Sequence, residues 1–155
     1  MGRTSGGRRI APRVGALVTA LIAVLAFAPA ALASPQTRVN SFTYNPTDTT
    51  HHALVFNATN TGTNPYQDFD IELTQATKIS SPVLFIGKVS YKSVCKAENG
   101  GWPAIACALP ATLLTPGKTF SIKFTTSTVY PAGSQNMWFA DDKTGANEGE
   151  FDGPQ

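Results

Sequence analysis

The chain is poor in the residues on which most enzyme chemistry relies. Its 155 residues include two histidines and two cysteines, and only 14% are charged. The histidines, His51 and His52, are adjacent where a loop enters a strand. Neighbouring residues of a strand point to opposite faces, so the pair cannot easily serve one metal or act as one acid–base couple. No Ser-His-Asp or Cys-His arrangement can be built from the spacing, and a nucleophile without a positioned base is not a mechanism. The sequence therefore reads as non-enzymatic.

Helical periodicity is missing as well. From Ser34 onward Pro, Gly, Asn and Thr interrupt every window that would reach three turns. A basic excess is absent once the N-terminus is set aside. The full chain has 12 Lys and Arg against 10 Asp and Glu. Arg3, Arg8, Arg9 and Arg13 lie in a segment read as removed on export, which leaves the mature protein near net −2. Nucleic-acid binding thereby loses its compositional support.

That N-terminal segment has a basic start, an uncharged run from Val14 to Leu32, a break at Pro29 and Ala31-Leu32-Ala33 before Ser34. This is the layout of a secretory signal peptide over residues 1–33, with a retained membrane anchor as the alternative. The protein is expected to be secreted, with membrane contact only through that segment before cleavage. In an exported chain the two cysteines read as one disulfide, Cys95–Cys107, with Asn99-Gly100-Gly101 turning the chain between them. A metal or redox role is the alternative, but no CxxC spacing or nearby His supports it.

What the mature chain does have is short alternating runs. Leu54 to Leu73 holds two, Ala53–Thr59 and Gln67–Leu73, read as a hairpin turned by Asn60-Thr61-Gly62-Thr63-Asn64-Pro65. Further runs fall at Arg38–Tyr44, at Val83–Ile86 leading into Gly87–Lys96, at Ile105–Leu109, at Thr119–Thr126 and at Asn136–Ala140, with 74–82 read as a connection. The spacing predicts an all-β fold, an immunoglobulin-like antiparallel β-sandwich of seven to eight strands over residues 34–140. Phe56, Phe69, Ile71, Phe85, Phe120, Ile122 and Phe124 are the expected core. Residues 141–155 read as a polar acidic tail, partly disordered.

Asn60-Thr61-Gly62-Thr63, Cys95, Cys107-Ala108-Leu109 and Leu114-Thr115-Pro116-Gly117-Lys118 before Thr119–Thr126 together resemble the conserved-repeat domains of bacterial surface and secreted proteins, the domain-of-unknown-function-eleven type. The resemblance spans roughly residues 37–130. It implies an immunoglobulin-like sandwich used for spacing or adhesion outside the cell, and no catalysis. The chain departs from the family at Leu73-Thr74-Gln75-Ala76, in Met137-Trp138-Phe139 and in the acidic tail.

Four features are candidate sites. Trp102, beside Pro103 in a turn, and Trp138 could stack on sugar rings, as could Tyr66, Tyr91 and Tyr130, although such residues also cap small cores. Asp141, Asp142, Glu148, Glu150 and Asp152 could supply oxygens to Ca²⁺, though not at EF-hand spacing. Asp68, Asp70 and Glu72 line one face of a strand, which reads as a solvated face or a cation stripe. The loop Ala97–Ala104 could be presented to a hydrolase as an inhibitor. The expected partner is an extracellular protein, a cell-envelope component or a glycan.

Overall fold

The computed structural model describes residues 36–76 and 78–155; the leader read over residues 1–33 lies outside them. Ten strands form: β1 (Thr37–Tyr44), β2 (Ala53–Asn60), β3 (Asp68–Leu73), β4 (Ile79–Ile86), β5 (Val89–Tyr91), β6 (Cys95–Glu98), β7 (Ala104–Ala108), β8 (Thr119–Thr126), β9 (Gln135–Asp141) and β10 (Ala146–Asp152). They make two antiparallel five-stranded sheets. Sheet I has the order β1-β2-β8-β4-β5 and sheet II the order β10-β9-β3-β7-β6. The β-sandwich expected from the spacing is present, with ten strands in place of seven or eight.

Period-two alternation decides the packing. Leu54, Phe56 and Ala58 of β2 and Phe120, Ile122 and Phe124 of β8 are buried, and so are Phe69, Ile71 and Leu73 of β3. Their rings meet between the sheets, Phe69 lying 5.0 Å from Phe120 and 6.0 Å from Phe56 between centroids. Each such side chain contributes about 1.5–3 kcal/mol on full burial. The first and last strands close one edge of the sandwich. Phe42 of β1 meets Phe151 of β10 at 5.4 Å, and the Gln155 amide donates to the Phe42 carbonyl at 3.2 Å.

Four sequence expectations need correction. The stretch Leu54–Leu73 is not a hairpin, because β2 belongs to sheet I and β3 to sheet II, and residues 61–67 carry the chain across the core. Gly87–Lys96 is not one strand, since β5 ends at Tyr91 in sheet I and β6 starts at Cys95 in sheet II. Part of the 74–82 connection is strand: β4 starts at Ile79 and absorbs Ser81 (φ 54°) and Pro82 in a bulge between Ser80 and Val83. Phe85 is only half-buried, its ring under the Lys123 ammonium at 4.8 Å.

The tail also has structure. Ala146–Asp152 pairs with β9 through its full length, and Phe151 is buried. Its alternation is easily missed because the inward position beside Phe151 is Gly149. A Cβ there would stand 2.7 Å from the indole of Trp138, so the glycine makes room for the tryptophan.

Candidate functional site

The β6–β7 hairpin is pinned at its base and at its tip. Cys95 and Cys107 are direct cross-strand partners and form the disulfide, S–S 2.05 Å, on the buried side of sheet II. At the tip the Asn99 side chain clamps the first residue of β4. Its amide donates to the Ile79 carbonyl at 3.0 Å, and its oxygen accepts from the Ile79 N–H at 2.6 Å. The Pro103 carbonyl accepts from the Leu73 N–H at 3.0 Å. Between these ties stands Trp102, 66% exposed.

Trp138 does not join it. On the inner face of β9 it is 6% exposed, and Tyr66 and Tyr130 are fully buried. Tyr66 donates to the Gln36 carbonyl and bonds Thr37, while Tyr130 bonds Asn136. Burial pushes the Tyr66 phenol up to about 12, against the opposing bond from Thr37. Tyr91 is half-buried at the end of β5. The aromatic platform expected from the sequence is thus reduced to a single exposed indole.

The five acids proposed for Ca²⁺ are not gathered around one point. Asp142 is buried in the β9–β10 turn, where its carboxylate accepts from the Thr144 N–H (2.8 Å) and hydroxyl (2.7 Å), the Gly145 N–H (3.0 Å) and the Asn64 amide (2.7 Å). Burial raises its pKa, but those four bonds outweigh it and the net shift is downward. The carboxylate is occupied in shaping a turn. Glu148, Glu150 and Asp152 follow one another at period two along β10, roughly 7 Å apart. Among the described residues, no group of three His, Cys, Asp or Glu side chains is placed to hold a metal ion.

Those acids instead belong to a broader surface. β10 carries them outward in register with Phe139, Met137 and Gln135 of β9; the first two rows continue through Asp70 and Glu72 of β3, and Asp68 stands in the next row beside Asp141. Beyond β3 the rows cross Ala104, Ala106 and Ala108 of β7 to Lys96 and Glu98 of β6. With Asp141 of β9, eight carboxylates and one lysine occupy the strands of sheet II. Asp70 is raised above its ordinary value, chiefly by burial and then by Glu98 and Asp68. The sequence shows this surface as two separate alternating runs, Asp68–Glu72 and Glu148–Asp152; only the shared sheet joins them.

The histidines work apart. His51, at φ 57°, stacks on Tyr44 with 4.2 Å between centroids, whereas His52 Nδ1 lies 3.0 Å from the Thr126 carbonyl. Two motifs that are distant in sequence do meet. Asn60, fully buried, donates to the carbonyls of Asn64 (2.9 Å) and Leu114 (2.8 Å) and accepts from the Gly62 N–H (2.9 Å). Its backbone takes the N–H of Gly117, whose φ of 80° suits glycine, and donates to the Lys118 carbonyl. Asn60-Thr61-Gly62-Thr63 and Leu114-Thr115-Pro116-Gly117-Lys118 therefore act as one structural joint.

Fold and surface together define a class: an antiparallel β-sandwich with a disulfide-pinned hairpin and one acidic sheet face. No family model matches the chain, and no curated protein does. Among solved structures it is similar to the major pilin subunit of Bacillus cereus, with 14% identity over 75% of this chain and 38% of that one and a TM-score of 0.43. It is also similar to BslA, described as a bacterial hydrophobin (15% identity, 77% and 95% covered, TM-score 0.42), and to the collagen-binding domain from a Staphylococcus aureus adhesin (14%, 75% and 95%, 0.39). The chain spans well under half the length of the pilin. Likeness at this level says nothing of what this chain binds.

Proposed function

We propose that the protein is exported and works outside the cell as a non-enzymatic structural or adhesion domain, with Trp102 as its point of contact. The supporting observation is the exposed indole on a hairpin tied by the Cys95–Cys107 bond, the Asn99 clamp and the Pro103–Leu73 bond. A large apolar side chain in water on a flexible loop gains little on binding, because ordering the loop offsets the gain. On a fixed hairpin that cost is already met. Covering an exposed tryptophan removes on the order of 100–150 Å² of apolar surface, or about 3 kcal/mol. We also infer kinship with the conserved-repeat domains, supported by the way their two turn motifs interlock through Asn60.

Stacking on a sugar ring is the second reading, because a lone exposed indole serves a glycan as well as a protein pocket. The test is retention of the exported protein and its Trp102→Ala variant on cell-envelope fragments and on insoluble polysaccharides. Loss of retention on envelope fragments in the variant supports the adhesion reading. Loss on purified polysaccharide supports the glycan reading. Equal retention of both proteins on every matrix removes Trp102 from either role. N-terminal sequencing of the exported protein should give Ser34 as the first residue.

A further inference from the structure

Charge is sorted between the two outer faces of the sandwich. The strands of sheet I contain no Asp or Glu, while those of sheet II contain eight. Lys123 stands exposed in the middle of β8, and Arg38 is exposed on β1. Lys78 and Lys118 immediately precede β4 and β8, Lys88 lies in the β4–β5 turn, and Lys92 follows β5.

Around its cations sheet I presents Val55, Val83 and Phe85 beside Lys123, and elsewhere hydroxyls and amides bonded into rungs across the strands. Asn57 donates to Ser41 at 2.8 Å and accepts from Ser121 at 2.6 Å. Asn40 donates to Thr59 at 2.8 Å, Thr59 meets Thr119 at 2.9 Å, and Ser80 meets Thr125 at 2.8 Å. Short side chains tied to one another in this way keep the face low and retain donor capacity. The ionised carboxylates of sheet II can only accept. One face is cationic and donor-rich, the other predominantly anionic, with Lys96 and Gln135 as donors among its carboxylates, and both are five strands wide.

We propose that sheet I of one copy stacks on sheet II of the next, so that copies associate head to tail through their complementary outer faces. Such an interface is heterologous, and the pairing leaves one unlike face free at each end for further growth. From strand spacing and rise each face measures about 20 by 25 Å, so stacking removes about 1,000 Å² in total, near the lower limit for specific complexes. Association is therefore weak, held by charge, and significant where copies are crowded.

The exported protein is followed by sedimentation velocity over a range of concentrations. Mass should rise with concentration without stopping at a dimer in about 0.01 M salt. The association constant should fall at least about tenfold by about 1 M, as the Debye length shrinks from about 30 Å to about 3 Å. Two exposed-face variants, Arg38→Glu with Lys123→Glu, and Asp70→Lys with Glu72→Lys, should each remain monomeric with wild-type far-UV spectra. Mixed, they should associate again, because the two intact faces pair and the two charge-reversed faces are complementary to each other. Wild-type protein that stays monomeric in low salt overturns the proposal, as does continued association of either variant alone or a mixture that stays monomeric. The salt series uses wild-type protein and stands even if a variant misfolds. Trp102→Ala should associate like wild type, so failure of the Trp102 reading and failure of this one are distinguishable.

Discussion

Replacing Asp70 by Asn should make the protein more stable at neutral pH. Asp70 lies between Asp68 and Glu72 on the outward face of β3, with Glu98 two strands away on the same face. Burial is the largest cause of its raised pKa, followed by repulsion from Glu98 and Asp68, with the Cys107 backbone N–H pulling the other way and Glu72 adding a smaller repulsion. Residues two apart on a strand are about 7 Å distant, where like charges cost about 0.6 kcal/mol each in water-like surroundings. Two flanking acids give about 1 kcal/mol, and side-chain freedom at a half-exposed site reduces this to about 0.5–1 kcal/mol. In a domain of this size that is a few degrees in Tm.

The pH dependence follows from the direction of the shift. A folded-state carboxyl with a raised pKa binds its proton more tightly than the unfolded chain does. The stability linked to Asp70 is thus fully present below the unfolded value of 3.8 and is lost as pH rises through the higher folded value. Asp70→Asn removes that loss. Its advantage over wild type should be largest near pH 7 in low salt, shrink with added salt, and vanish below about pH 4. Urea unfolding of both proteins at several pH values measures it. A variant less stable than wild type by the same amount at every pH refutes the reasoning, since the carboxylate would then matter only as a partner for the Cys107 N–H.

Replacing both cysteines by alanine should cost about 3 kcal/mol, as expected for a closed loop of this length, and amide exchange should quicken first in β6. Asn60→Ala leaves the Leu114 and Asn64 carbonyls and the Gly62 N–H without their partner, for a loss of about 2–4 kcal/mol in urea unfolding. Gly149→Ala forces the Trp138 indole to move, for a loss of about 1–3 kcal/mol and a changed tryptophan fluorescence spectrum; an unchanged spectrum would show that the strand yields instead of the ring.

Strands β1, β2, β3, β7, β8 and β9 are legible in the sequence, and the apolar alternation is fullest in β2, β3, β7 and β8. Alternation states which side of a strand is buried but not which sheet owns it, so the crossing between β2 and β3 was invisible. Val89, Tyr91 and Cys95 keep a common parity across the break between β5 and β6, which hid the change of sheet. β10 was hidden because its inward residues are Asn147, Gly149 and Phe151, and only the last is apolar and large. The disulfide was legible because an intervening turn sets its cysteines opposite each other. Trp138 and Trp102 look alike in sequence. Only the neighbouring strand, with a glycine where the indole needs space, marks the first as core.

The shared edge of β1 and β10 also fixes how the sandwich meets mechanical force. Tension applied between Thr37 and Gln155 falls first on the seam where Phe42 meets Phe151 and the Gln155 amide holds the Phe42 carbonyl. The Cys95–Cys107 bond, in the hairpin at the opposite edge of sheet II, is out of that path. The covalent link guards the hairpin against local opening. Resistance to stretching rests on noncovalent ties: that seam and the ladders that hold β1 to β2 and β10 to β9.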